Sequence, residues 1–402
     1  MNFNHNALII DQSAFTRERI QGRLDDLGFN NISRFELFLW DLEIFLQIQK
    51  RMGDKILLKG GAATQFYIPI DSQRTSIDID MICLLPREAV KSVISDIESA
   101  FAGEGEYFRF QLYAPSNPKV GLDMLETYYV TVPSICTDSE LRGLRNKQQV
   151  KVEFLYRSSD YPVYMAESPE LFAASIDQKF NLLPLTHLFA DKLTTIGPET
   201  IGIPEERGDE QFKQIYDVIT LFQNNQNTIW KETDIICGRY QFEAKKECDM
   251  HGISFVPEIL LADMMRFIKR IQNIESEPEL FQRANDFQAL YLRRAVSRNK
   301  QQWSIVGYQL ELITTDLLMN KAPSGKYQRY SDLADLVTFA NISGPERSQK
   351  INQVRTALKN NFDSRTGYQD QLFRKSLERI IWGLSTSIEA EELNQVIRSA
   401  LK

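Results

Sequence analysis

The chain of 402 residues is poor in the side chains that build zinc sites and histidine-based catalytic triads. It has three histidines and four cysteines, and no two of the cysteines form a CxxC pair. The cysteines Cys83, Cys136, Cys237 and Cys248 are scattered, and none has a histidine at zinc-ligand spacing. We therefore expect reduced, structural thiols, and neither a zinc site nor a catalytic triad.

The sequence also lacks a long uncharged apolar run and a net positive charge. No apolar stretch reaches the roughly 18 residues that a membrane-spanning helix needs. The N-terminus MNFNHNALIIDQ has neither the basic start nor the apolar core of a signal peptide. We expect a cytoplasmic protein with no membrane partner. The net charge of -7 argues against electrostatic binding of nucleic acid by the protein surface as a whole, so a polyanion would have to bind at a local basic patch.

The periodicity of the sequence changes near residue 220. Before that point, five β-rich runs alternate with helical or turn segments: KILLKGG, SIDIDMICLL, YFRFQLYA, TYYVTVPS and QQVKVEFLY. The segment from Arg17 to Arg51 is predicted to be helical, and so is nearly everything from Gln211 to Lys402, with breaks at ESEPE, NKAPSGK and NISGPER. We predict an α+β fold, with a mixed-sheet domain and N-terminal helices in residues 1–220 and a helical acceptor-binding or interaction domain in residues 221–402.

The stretch LLKGGAATQFYIPIDSQRTSIDIDMICLL, Leu57 to Leu85, joins a short apolar strand to a helical segment through Gly60 and Gly61. A strand that passes through glycines into a helix exposes the first N–H groups of that helix. Without a Cβ atom the backbone can also approach an anion closely. The pair therefore predicts a cradle for phosphate.

The next strand carries two carboxylates on one face. Alternation places Ser76, Asp78 and Asp80 on the same side, with the two aspartates about 7 Å apart at Cα. The strand VKVEFLY adds Glu153 as a candidate third carboxylate, although it could also be a solvent-facing residue paired with Lys151. Three carboxylates beside a phosphate cradle fit Mg²⁺ or Mn²⁺ and two-metal phosphoryl chemistry with an NTP.

This stretch resembles the first motif of the DNA polymerase β-like nucleotidyltransferases. Its form, Gly-Gly followed by Arg-x-Ser-x-Asp-x-Asp, is similar to that of the AbiEii/AbiGii nucleotidyltransferase toxins. A second segment, LTHLFADKLTTIG with ERGDEQFKQIYDVITLF after it, resembles that family's downstream pattern of a helix lysine, an arginine and a Lys-Asp-x-x-Asp-like run. The resemblance covers roughly residues 35 to 225. It implies a polymerase β-like nucleotidyltransferase sheet domain.

The resemblance also implies roles for single residues. By resemblance, Asp78 and Asp80 are the metal-binding pair, and Gly60 and Gly61 are the nucleotide-phosphate turn. Lys192 is the nucleotide-binding helix lysine, and Lys213 and Asp217 are the later lysine and aspartate. Arg74 and Ser76 are candidates to orient the loop or the aspartates. The sequence departs at Gln214, where the pattern prefers Asp, and in a longer loop with Gly208 and Asp209, which leaves open whether Asp209 or Asp217 is the later acidic residue.

The resulting hypothesis is a Mg²⁺-dependent enzyme that moves a nucleotide from an NTP to an acceptor. By resemblance the acceptor is RNA, with the 3′ end of tRNA as the leading candidate, and the protein is a toxin of a toxin-antitoxin or phage-defence system with a cognate antitoxin as partner. A protein- or small-molecule-modifying enzyme remains an alternative, because the metal site would be the same. So does an inactive interaction protein of this fold, which Gln214 alone favours.

The helical half has three clusters of basic and aromatic residues that could grip phosphates and stack on bases: Arg266 to Gln272, Leu290 to Lys300 and Gly325 to Tyr330. Each is equally typical of a solvated helix face. Within the second cluster we predict that an RNA groove is lined by Arg293, Arg294, Arg298 and Lys300.

Overall fold

The structure is a computed structural model that describes residues 3–102, 106–114, 124–141, 148–157, 161–366 and 369–402. The fold is α+β, as predicted. Its sheet has the order β3-β4-β5-β2-β1-β7-β6. The seven strands are β1 Ile56–Lys59, β2 Asp78–Cys83, β3 Phe110–Leu112, β4 Leu125–Thr131, β5 Gln149–Tyr156, β6 Tyr164–Glu167 and β7 Lys179–Leu182.

The sheet is mixed, and its centre brings charged residues together. Strand β2 pairs antiparallel with β1 and parallel with β5. In this register Asp80 lies opposite Lys59 on one side and Glu153 on the other, while Asp78 lies opposite Lys151. Alternate residues are buried over the first four positions of β2 and the first six of β5, which confirms the predicted apolar and charged faces there. The prediction was wrong for Ser76, which precedes β2 and is buried.

Fifteen α-helices are present in the described part of the chain. Those within the first 200 residues are α1 Arg17–Leu27, α2 Ile32–Met52, α3 Gly60–Thr64, α4 Arg87–Ala100, α5 Asp138–Leu141 and α6 Leu185–Thr194. Those that follow are α7 Gly208–Lys231, α8 Thr233–His251, α9 Pro257–Gln272, α10 Pro278–Tyr291, α11 Lys300–Thr314, α12 Lys326–Leu336, α13 Gly344–Thr366, α14 Leu377–Leu384 and α15 Ala390–Ala400.

The helices fall where the sequence periodicity predicts them. Helix α2 is buried along almost its whole length and packs against the sheet, and its buried side chains include charged ones such as Glu36, Asp41 and Glu43 as well as apolar ones. The helical second half has breaks at the three predicted turn segments, and further breaks that were not predicted, such as those between α8 and α9, α10 and α11, and α14 and α15. Among the described helices, none is long and apolar enough to cross a membrane.

Two details of the fold differ from the sequence-based expectations. Gly208 and Asp209 do not lie in a loop but form the first turn of α7, where an acidic residue is favoured by the helix dipole. Strands β6 and β7, of four residues each, were not predicted. The predicted domain boundary between residues 220 and 221 falls inside α7 and stays a prediction.

Candidate active site

A cavity of about 360 Å³ opens over the charged face of β2 and β5. Its walls come from the sheet, from α6 and α7, and from α8 in the helical half. The basic side chains in the wall are Lys59, Lys151, Lys192, Arg207 and Lys213, and the acidic ones are Asp78, Asp80, Glu153, Asp191, Glu210 and Glu247. Such a concentration of both charges suits a ligand that brings phosphates together with cations.

Gly60 makes room for Asp80. It has φ +70°, and a Cβ atom built on it would lie 2.0 Å from Asp80 Oδ2 and 2.9 Å from Asp80 Cβ. Any side chain at position 60 would therefore push the aspartate away, and the backbone would be strained as well. Gly60 also begins α3 directly after β1, as predicted. The glycine thus serves the position of a carboxylate, and its role as a phosphate cradle stays a prediction.

Asp78 lies at the more exposed end of β2, with its side chain 27% exposed, and faces Lys213 of α7. Lys213 Nζ lies 3.7 Å from Asp78 Oδ2 and 5.6 Å from the centre of the Tyr291 ring. Burial alone would lower the pKa of the Lys213 ammonium, but Asp78, together with Tyr291 and Glu210, holds that pKa above the ordinary value. A buried, charged lysine therefore stands beside the first aspartate.

Glu153 shares the cavity with Asp80, and neighbours hold both of its oxygens. Thr127 Oγ1 donates to Glu153 Oε1 at 2.9 Å, and Lys151 Nζ lies 2.9 Å from Glu153 Oε2. The structure thus contains the Lys151 pairing that was the alternative reading of Glu153. It also places the carboxylate opposite Asp80, at the wall of the cavity. A third metal ligand at this position would have to release Lys151.

The donor set fits a magnesium ion that a nucleotide brings with it. Burial and, next, the charge of Glu153 raise the pKa of the Asp80 carboxyl, so negative charge is crowded here and a divalent cation would relieve it. Mg²⁺ commonly uses one or two carboxylates and takes its other ligands from water and phosphates. Asp78 and Asp80 meet that requirement. No group of three His, Cys, Asp or Glu side chains in the described ranges is arranged to hold a metal by itself.

Lys192 and Asp217 form a buried ion pair with Arg74. Arg74 Nε and Nη2 each lie 2.6 Å from an oxygen of Asp217, and Lys192 Nζ lies 2.8 Å from Asp217 Oδ2. Lys192 also donates to Gln214 Oε1 at 2.6 Å. Burial alone would raise the pKa of Asp217, but Arg74 and Lys192 together hold it below the ordinary value. Gln214 thus supplies an acceptor oxygen where the family pattern prefers Asp.

The same ion pair anchors the loop that leads into β2. Gln65 Oε1 accepts from the Arg74 backbone N–H at 2.8 Å, and Gln65 Nε2 donates to the Gly61 carbonyl at 2.8 Å. A Cβ atom on Gly61 would lie 2.7 Å from Arg74 Nη2 and 2.9 Å from Ser76 Oγ. Gly61 and Ser76 therefore pack in the layer behind the cavity and do not line it. The phosphate contact of Gly61 stays a prediction, and so does the role of Ser76 in orienting the aspartates or contacting the nucleotide.

Asp209 and Asp217, the two candidates for the later acidic residue, both lie outside the cavity wall. Asp217 is fully buried under Arg74 and Lys192, and neither it nor Asp209 lines the cavity. The neighbouring Glu210 does, with Arg207 as its ion-pair partner. Asp217 therefore positions basic groups, while its predicted catalytic part stays untested.

Sequence reasoning missed several cavity residues. Lys59 Nζ lies 2.8 Å from Asp191 Oδ1, and both line the wall that faces Glu247 and Met250 of α8. Lys59 follows the apolar run of β1, and Asp191 directly precedes Lys192, so both lie next to residues that the motifs single out. Nothing in the sequence motifs points to α8, which lies beyond the segments, roughly residues 35 to 225, that carry the motif resemblance.

The predicted RNA-binding cations of the second basic cluster have intramolecular partners. Arg293 Nη1 lies 2.6 Å from Asp71 Oδ1, and Arg294 Nε donates to Asn30 Oδ1 at 2.5 Å. The Arg298 guanidinium lies over the rings of Tyr216 and Trp303, and Lys300 over that of Phe281. Arg293, Arg294 and Arg298 thus join the helical half to residues of the first 220, while Lys300 packs within the helical half. These contacts weaken the prediction that the four side chains line an RNA groove.

The other two basic clusters are also engaged with acids. In the cluster from Arg266 to Gln272, Arg266 forms an ion pair with Glu199, Lys269 pairs with Glu311, and Arg270 pairs with Glu205 and Glu277. In the third, Lys326 pairs with Glu389 and Arg329 pairs with Glu391. Both clusters therefore behave as paired helix surfaces.

Comparison with known proteins identifies the class and then the family. A family model described as "Nucleotidyl transferase AbiEii toxin, Type IV TA system" matches residues 45–293. Because this match covers more than half of the chain, the chain belongs to the AbiEii nucleotidyltransferase toxin family, as the motifs predicted.

Solved structures add little to this assignment. One from H. pylori, described as a nucleotidyltransferase, matches with 16% identity and a TM-score of 0.27, over 59% of this chain and 96% of its own. A likeness of this size carries no argument. A comparison with curated proteins gave no match.

Proposed function

We propose that the protein is a Mg²⁺-dependent nucleotidyltransferase that moves a nucleotide from an NTP to an RNA acceptor. One observation carries the proposal: Asp78 and Asp80 line a single cavity with Gly60 and several buried or half-buried lysines. Carboxylates for a cation and ammonium groups for phosphates are what an NTP with its metal requires.

Asp78 and Asp80 would hold the ion, which supplies charge neutralisation for the triphosphate. Lys213 stands beside Asp78, so its ammonium is placed to bind a phosphate oxygen once Asp78 binds the ion. Lys192 is anchored by Asp217 and Gln214 at the wall of the cavity and would orient the nucleotide from the other side. These groups bind and orient the substrate and exclude water from its phosphates.

In the transfer step, an acceptor hydroxyl oxygen forms a bond to the α-phosphorus, and the bond from that phosphorus to the β-phosphate oxygen breaks. Pyrophosphate leaves with the bonding electron pair. We assign acceptance of the hydroxyl proton to Glu153, because it lies beside Asp80 and is held by Thr127 and Lys151 in a fixed orientation. In a toxin, this step would arrest growth, and a cognate antitoxin would oppose it.

RNA as the acceptor, and the 3′ end of tRNA in particular, rests on the family resemblance. Incubation of the purified protein with Mg²⁺, each labelled NTP in turn, and total RNA or protein extract would test it on a gel. We expect the label in RNA. A label in protein would overturn the RNA acceptor while keeping the enzyme, and no label with any NTP would overturn the transferase.

A further inference from the structure

A second cavity, of about 430 Å³, lies beside the candidate active site and has basic walls. Residues one or two positions apart in three segments line the two cavities. The pairs are Leu125 and Met124, Leu155 and Arg157, and Glu247 and Lys246, and the first of each pair lines the active site. Two residues of a strand span about 7 Å. The second cavity therefore adjoins the active-site cavity.

Arg157 is the main reason to expect an anion in this cavity. Its side chain is 1% exposed, it lines the cavity, and its Nε and Nη2 have no hydrogen-bond partner among the described residues. The nearest carboxylate oxygen, Glu243 Oε2, lies 3.8 Å from Nη2, beyond hydrogen-bond distance. Glu243 is already bound by Arg239 at 2.5 Å. A buried guanidinium with unused donors calls for an acceptor.

Two more basic side chains and a helix end surround the same space. Lys246 and Arg87 both line it. Arg87 begins α4, whose first turn has no side-chain cap at Pro86, so the positive end of a helix of 14 residues lies at the wall. Burial and the charge of Arg157 lower the pKa of the Lys246 ammonium, which is consistent with an excess of positive charge.

The remaining wall is apolar and aromatic. It includes Leu84, Leu85 and Met124, and the ring of Tyr156, over which Arg87 lies at 5.3 Å. Tyr156 is fixed by its hydroxyl, which donates to Glu126 at 2.5 Å. Glu126 Oε1 also lies 3.5 Å from Arg87 Nε, so one acid partly balances that cation. Basic groups next to an apolar aromatic wall match a nucleotide, with its phosphate on the cations and its base on the wall.

We propose that this second cavity binds one nucleotide of the acceptor strand, with its backbone phosphate against Arg157, Lys246 and Arg87. The inference rests on the proposed function for the identity of the strand as an acceptor. It explains how a chain of net charge -7 could hold RNA next to the reacting site. The cavity, not the paired surface clusters of the helical half, is then the local basic patch.

The test measures binding of a short labelled single-stranded RNA to the full chain by fluorescence anisotropy over a salt series, without NTP. Lys246→Gln should weaken RNA binding about tenfold and flatten the salt dependence by about 0.7 unit of slope. Arg87→Gln should act in the same direction. The matched control is Lys245→Gln, because Lys245 is the exposed neighbour on α8 that lines neither cavity.

Equal affinities and salt slopes for Lys246→Gln, Arg87→Gln and the Lys245→Gln control would overturn the proposal. Lys246 and Arg87 are chosen because a variant of the buried Arg157 could fail to fold. Inorganic phosphate is the second probe. If it bound the parent as tightly as the RNA does, the cavity would be a site for free phosphate and the acceptor-strand proposal would be wrong. Because no NTP is present, this result is independent of whether nucleotide transfer to RNA occurs.

Discussion

Replacing Gly60 by alanine should displace the Asp80 carboxylate while the protein still folds. The new Cβ atom would fall 2.0 Å from Asp80 Oδ2, so the carboxylate must move. Alanine at φ +70° also carries a backbone cost of about 1 to 2 kcal/mol. Displacing a packed neighbour adds a cost of about 1 to 3 kcal/mol. We therefore expect the free energy of unfolding to fall by about 2 to 5 kcal/mol, and nucleotide transfer to be lost.

Gly28 provides a matched control for the backbone part of this cost. It has φ +73°, and a Cβ atom there would meet nothing within 4 Å. Gly28→Ala should therefore lose only about 1 to 2 kcal/mol of stability and keep its activity. Denaturant unfolding would give the stability of each variant, and incorporation of a labelled NTP at a temperature where both are folded would give the activity. Equal transfer by the two variants would refute the idea that Gly60 exists to place Asp80.

Two further predictions concern the buried ion pair. Lys192→Met keeps most of the length of the side chain but removes its charge, so NTP affinity measured by calorimetry should fall about ten- to a hundredfold. An unchanged affinity would leave Lys192 a purely structural role. Asp217→Asn leaves Arg74 and Lys192 without their counter-charge, so the free energy of unfolding measured with denaturant should fall by about 3 to 5 kcal/mol. A fall below about 1 kcal/mol would contradict the role of this carboxylate as an anchor. The pKa of Asp217 is lower in the folded state than in the unfolded state, so its stabilisation is complete above about pH 4 and is lost as the pH falls through the folded pKa. Acid unfolding of the parent should therefore show a contribution that is missing in Asp217→Asn, and parallel profiles would contradict it.

The candidate site was predictable where it depends on local pattern. Alternation along β2 placed Asp78 and Asp80 on one face, and the same rule placed Glu153 with Lys151 on β5. The glycine pair was correctly read as the junction of a strand and a helix. What the pattern could not give is the register that sets Lys59 opposite Asp80, because strand pairing is decided by distant parts of the chain.

The rest of the site depends on contacts between residues far apart in sequence. Arg74 meets Asp217, which is 143 residues away, and Arg293 meets Asp71, which is 222 residues away. A lysine or arginine in a helical pattern looks the same whether its partner is an internal carboxylate or an RNA phosphate. This is why Arg293 was predicted to be an RNA contact, while Arg157, which has unused donors in a cavity, was not singled out.

The most direct test of the account compares nucleotide incorporation into RNA, as a function of Mg²⁺ concentration, by the parent, Asp80→Asn and Asp209→Asn. Asp80 lines the cavity, whereas Asp209 lies in the first turn of α7 outside it. The account predicts Mg²⁺-dependent incorporation by the parent and by Asp209→Asn, and none by a folded Asp80→Asn protein. Incorporation by Asp80→Asn at the rate of the parent, or by the parent without a divalent ion, would contradict it.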